Sequence, residues 1–127
     1  MKVIKIPYDM KTPCTVHEVA NTEDIRCLDK LKELIQIEWA EIVLTFIRGE
    51  DPHRDYVLIV DEIGKLKDEW VKKINPRASQ WYAGAMHGDP IVGDVILMAR
   101  EWKENFGECD LAGLTEYEEE VLMFYMI

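Results

Sequence analysis

Apolar and polar positions along the 127-residue chain change period several times, and each change marks an element. Val3-Ile4-Lys5-Ile6 and Cys14 to Ala20 are short, β-branched, partly alternating segments. They flank Pro7-Tyr8-Asp9-Met10-Lys11-Thr12-Pro13, and together predict an opening hairpin. The period then lengthens, with Ile25, Leu28, Leu31, Leu34 and Ile35 three and four apart on one buried helix face. Asn21 or Thr22 can cap that helix, and Glu23 and Asp24 in its first turn complement the helix dipole. Alternation returns from Ile37 to Ile47, where Ala40, Ile42, Leu44 and Phe46 share one side of a third strand. Tyr56 to Val60 is an unbroken apolar run of the kind found in interior strands, set between polar turns at 48–55 and 61–65.

Residues 66–90 carry Pro76, Gly84, Gly88 and Pro90, which break any long helix, so this stretch reads as loop with short helical pieces. Ile91 to Ala99 predicts another interior strand, with Gly93 marking a bulge or a close backbone approach. Thr115 followed by Glu118 forms a capping box that opens a last helix, whose inward face reads as Leu114, Tyr117, Val121 and Tyr125. The expected fold is α+β in a single domain over residues 1–127. It has a mixed sheet of about five strands in the order β-β-α-β-β, an irregular stretch or short helix, β, α.

Composition narrows the function classes. A hydrophobic fraction of 48% and a charged fraction of 31% suit a globular domain and argue against disorder. No apolar run approaches the ~20 residues that a membrane-spanning helix needs. The opening Met1 to Pro7 lacks the long apolar region of an export signal and is read as mature sequence. Cys14, Cys27 and Cys109 are three isolated thiols, which suits a reducing cytoplasm. The net charge of −10 is concentrated at the C-terminal end: residues 101–127 hold eight carboxylates against one base, the first hundred seventeen against fourteen. Such a surface repels a nucleic-acid backbone and attracts basic partners.

The residues assemble no recognisable catalytic motif, and no metal or cofactor is expected. His17, His53 and His87 are more than thirty residues apart and none stands in a short metal-ligand motif. His53-Arg54-Asp55 resembles a kinase catalytic-loop tripeptide without the glycine-rich loop or the length that a kinase requires. Asp61 and Glu62 follow an interior strand with Lys65 nearby, and Arg77 lies in Asn75-Pro76-Arg77. These four form an alternative small-ligand or nucleotide site, weighed against a solvated turn. Trp81 and Tyr82 sit in the irregular stretch, where they serve either the core or a partner. The acids Glu108, Asp110, Glu116, Glu119 and Glu120 either stabilise and solubilise the last helix or form a negative docking surface. Helix neighbours three or four apart lie ~5–6 Å from each other, comparable with phosphates along a strand.

Four segments in order carry a wider likeness: Val60-Asp61-Glu62-Ile63-Gly64-Lys65-Leu66, Asn75-Pro76-Arg77-Ala78, Asp89-Pro90-Ile91-Val92-Gly93 and Leu114-Thr115-Glu116. Over roughly residues 2–126 the chain resembles a small domain-of-unknown-function family carried by phages, plasmids and conjugative elements of Gram-positive bacteria. The resemblance implies a mobile-element accessory protein, with an anti-restriction or anti-CRISPR role among the expectations. Its partner would then be a host or defence protein with a basic groove.

Overall fold

The computed structural model describes residues 1–20, 26–82, 88–102 and 109–126. The expectations placed on Asn21, Thr22, Glu23, Asp24, Ile25, Gly84, His87 and Glu108 lie outside these residues, as does the Cys27 side chain. The chain forms β1 (Lys2–Ile6), β2 (Thr15–Glu18), α1 (Arg26–Ile35), β3 (Ala40–Leu44), β4 (Arg54–Asp61), α2 (Pro76–Ser79), β5 (Val95–Trp102), β6 (Cys109–Ala112) and α3 (Glu116–Tyr125). The fold class is α+β, as the periodicity predicts. The strands make one six-stranded sheet in the order β2-β1-β5-β4-β3, with β6 added to β5. Where a mixed sheet of about five strands was expected, all its described pairings are antiparallel.

Both faces of the sheet are covered, which explains the unbroken apolar runs of β4 and β5. Val57 and Ile59 of β4 and Ile96 and Met98 of β5 pack with Leu31 and Ile35 of α1. Tyr56, Leu58 and Val60 turn the other way with Val95, Leu97 and Ala99, towards Ala78, Leu122 and Met126 of the α2 and α3 side. β5 lies at the centre: β4 runs along one of its edges, while β1 and β6 share the other, Ile4 opposite Leu97 and Ala112 opposite Ala99.

Three sequence expectations shift. The β5 strand starts at Val95 and not Ile91, because Val92 bridges to Ile74, and Gly93 turns the chain at φ 83° before it enters the sheet. β6 is short and carries Asp110, too weak a pattern to register as a strand. Along α3 and its two ends the buried positions are Leu114, Leu122 and Met126, while Tyr117 and Tyr125 are exposed, contrary to the inward face read from the sequence. The buried row runs 114, 118, 122, 126, and its second position is the carboxylate Glu118. An apolar pattern search skips it and lands one residue out of phase.

The segment 74–79 locks the irregular stretch in place. Asn75 is fully buried and caps α2, its side chain accepting from Ala78 N–H at 3.0 Å and donating to the carbonyls of Ile6 and Gly93 at 2.9 Å each. Arg77 donates to the carbonyls of Pro7, Asp9 and Thr12 at 2.7, 3.0 and 2.8 Å and so pins the β1–β2 connection.

Candidate partner-binding surface

α3 meets the sheet through one polar cluster. Its N-terminus is held by the expected capping box: Thr115 Oγ1 accepts from Glu118 N–H at 3.1 Å, and Thr115 N–H donates to Glu118 Oε1 at 2.8 Å. The same carboxylate reaches β4, where Arg54 donates to both of its oxygens at 2.6 and 3.2 Å and the Tyr56 hydroxyl donates to Oε2. Arg54 also bonds the Gly113 carbonyl at 2.8 Å and Glu101 at 2.5 Å. The Arg54 and Glu118 side chains are each only 11% exposed. A methyl group on Gly49 would lie 2.8 Å from the Tyr56 hydroxyl, so this position favours glycine.

The cluster shifts its titrations in opposite directions. Burial works to raise the Glu118 pKa, but the bonds from Arg54, Tyr56 and Thr115 outweigh it and hold the carboxyl below its usual range. Burial, then the Glu118 carboxylate, push the Tyr56 phenol up to about 12. A raised folded-state pKa means that Tyr56 contributes stability in full below the ordinary value near 10 and loses it as the pH climbs towards 12. In an ultraviolet titration one of the five tyrosines should therefore ionise well after the others, and Glu118→Gln should bring it earlier. A titration curve with no late-ionising phenol would contradict the assignment.

Beyond the cluster, the outer face of α3 is aromatic. Phe124 is 72% exposed, Tyr117 68% and Tyr125 59%. Tyr125 packs edge-on against Phe124, with ring centres 5.6 Å apart, and against half-buried Trp81 at 6.3 Å. The Phe46 N–H donates to the Trp81 carbonyl at 2.9 Å, which brings exposed Phe46 to the same border. A groove of about 540 Å³ runs beside this ridge between residues 47–51 and α3, floored by Tyr56, Val121 and Leu122. Among the expected partner residues, Glu116 and Glu120 are exposed on α3 and Asp110 on β6. Glu119 is turned to Lys2 at 3.2 Å and is three-quarters covered, which leaves it less of a free docking charge than expected. Tyr82 is half-buried and donates to Asp89 at 3.4 Å, so it supports the 88–90 turn and not the Trp81 ridge. The sequence placed Tyr125 on the inward face of the last helix, and it gave no sign of Phe124 or of the link from Glu118 to Arg54 and Tyr56. The only signal for the cluster was a glutamate at a helix position that should have been apolar.

The alternative ligand set is divided. Asp61, Glu62 and Lys65 line a cleft of about 120 Å³, below the ~300–1,000 Å³ usual for small-molecule sites. Asp61 is paired with Lys67 at 2.7 Å and Lys65 with Asp89. Arg77 is engaged by the Pro7, Asp9 and Thr12 carbonyls and does not line that cleft. The His53-Arg54-Asp55 tripeptide is used structurally: Arg54 bonds Glu118, while Asp55 accepts two bonds from Arg100, at 3.0 and 2.6 Å, and one from the Trp102 indole at 3.0 Å. Burial raises the Cys14 pKa more than nearby Arg77 lowers it, so that thiol is held protonated. Among the described residues no group of three or more His, Cys, Asp or Glu side chains could hold a metal ion. No helix among them is long and apolar enough to cross a membrane.

The chain matches no established family profile and none of the curated proteins. One solved structure with this fold is that of the small RNA methyltransferase HEN1, with a TM-score of 0.63 and 16% identity. The likeness covers 99% of this chain and 15% of that one. It is a likeness of fold, confined to a small part of a much longer protein.

Proposed function

We propose that this chain is a non-enzymatic protein-binding module that seats the outer face of α3 on a basic partner, namely a host or defence protein that a mobile element must restrain. The observation that carries the reading is the exposed ridge of Tyr117, Phe124 and Tyr125, edged by Glu116 and Glu120. An aromatic centre with a charged rim is the usual anatomy of a recognition surface, since aromatics bury a large area at little entropic cost. The acidic rim supplies attraction to a basic groove over the ~8 Å range that physiological salt allows. Because Lys2 pairs with Glu119 at 3.2 Å and with exposed Glu116 at 3.7 Å, the surface favours aromatic docking steered by charge over imitation of a row of phosphates. The inhibitory, mobile-element setting rests on the sequence resemblance.

Affinity capture from a Gram-positive host lysate tests this reading with three forms of the protein: wild type, Phe124→Ala/Tyr117→Ala and Glu116→Lys/Glu120→Lys. The expected result is a protein retained by wild type, released as salt is raised, and lost by both variants while their far-ultraviolet circular dichroism is unchanged. Equal retention by all three forms would refute it.

A further inference from the structure

β3 is an end strand of the sheet, and among the described residues no strand pairs with its outer edge. It pairs with β4 from Ala40–Asp61 to Leu44–Val57 without interruption, and its sequence Ala-Glu-Ile-Val-Leu contains no lysine, no proline and no bulge. The Glu62 N–H donates to the Trp39 carbonyl at 2.9 Å, which sets the alternation of the ladder. Trp39, Glu41 and Val43 therefore face β4, and the backbone N–H and C=O groups of Ala40, Ile42 and Leu44 face outward. Among the described residues the backbone bond to this edge comes beyond the strand, where Trp81 accepts from Phe46 N–H.

The two faces of this edge differ in chemistry. On the α1 side, Ile42 is 45% exposed and Leu44 57%, beyond the cover that α1 gives to Val57 and Ile59. On the opposite side, Glu41 and Glu62 line the small cleft with Val43 and Val60. Neither Glu41 nor Glu62 has an ion pair among the described residues, whereas Asp61 and Asp89 in the same cleft are neutralised by Lys67 and Lys65. A strand laid along β3 would place alternate side chains on Ile42 and Leu44 and the others beside Glu41 and Glu62.

The geometry points to β3 as a docking edge for an extended segment of a partner protein in which bulky apolar residues alternate with lysine or arginine. Backbone bonds to Ile42 and Leu44 supply affinity, and the alternation supplies selectivity. Charge separates this occupant from a second copy of the chain. Self-pairing about Ile42 or Val43 would set Glu41 opposite Val43 or Thr45, and β3 has no cation to offer. This inference does not depend on the α3 ridge.

Fluorescence anisotropy with a labelled peptide of alternating valine and lysine tests it. The expected result is binding about tenfold or more tighter than that of an alternating valine–glutamate peptide. N-methylating one alternate set of peptide amides should abolish binding, and methylating the other set should leave it intact. Glu41→Lys and Ile42→Thr, both compatible with a strand, should each weaken binding about tenfold, while Phe124→Ala should leave it unchanged. That last control separates failure here from failure of the α3 reading. Absence of binding, equal binding of both peptides, or indifference to which amides are methylated would overturn the inference. So would a dimer in sedimentation that Ile42→Lys dissolves, because the edge would then belong to a second copy.

Discussion

Replacing Asn75 with alanine is expected to lower the stability of the protein by about 3 kcal/mol, because one side chain satisfies groups from three parts of the chain. Its amide donates to the carbonyls of Ile6 on β1 and Gly93 ahead of β5, and its oxygen caps α2 at Ala78. Alanine removes one hydrogen-bond partner from each of the three at a fully buried position. For a domain of this size the melting temperature should fall by roughly 10 °C. Asn75→Asp should be no milder: it preserves the cap but points a carboxylate at two carbonyl oxygens. Gln80→Ala, exposed at the end of the same helix, should melt with wild type. An Asn75→Ala variant melting within a degree or two of wild type would show that these bonds are not what holds the segment.

Glu118→Ala is the second large effect, expected at about 3–4 kcal/mol. It removes the capping box and leaves an Arg54 guanidinium that is mostly out of water with only Glu101 for a carboxylate partner. Glu118→Gln retains the shape and some of the bonds and should cost less. The pH dependence identifies the charge contribution. Because the folded-state pKa of Glu118 is lowered, its contribution is complete above the ordinary value of 4.5 and lost as the pH falls below it. In urea melts the gap between wild type and Glu118→Gln should be widest near neutrality and narrow as the pH drops through that range. A double-mutant cycle of Arg54→Ala and Glu118→Ala should return a coupling of about 2 kcal/mol. A coupling near zero, with a gap indifferent to pH, would reduce Glu118 to a simple helix cap.

Local periodicity explains what could be read without a structure. The Leu28, Leu31, Leu34 and Ile35 spacing of α1, the apolar run of β4 and the Thr115–Glu118 cap each reside in a few consecutive residues. What escaped depends on partners far along the chain. β6 becomes a strand because β5 presents it an edge, and α3 is turned by a carboxylate whose reason is Arg54, sixty-four positions earlier. The candidate site divides in the same way. The acids of α3 were visible as charge, but the pairing of Glu116 and Glu119 with Lys2 spans 114 and 117 positions of sequence, and the aromatic ridge follows from the rotation of the helix. Asp61, Glu62, Lys65 and Arg77 looked like one site because they follow one strand end. The structure gives Arg77 to the first hairpin, a destination that no local pattern records.

The sharing of one β5 edge by β1 and β6 has a consequence for synthesis. Ile4 pairs with Leu97, so the first strand emerges ninety-three positions before its partner and has only β2 to lean on. At ~5–20 residues per second that wait is roughly five to twenty seconds. Such distant pairings also slow folding once the chain is free. Val3 on one face of β1 and Ile4 and Ile6 on the other therefore stay uncovered on the nascent chain, and the sheet closes only when its last strands have left the ribosome.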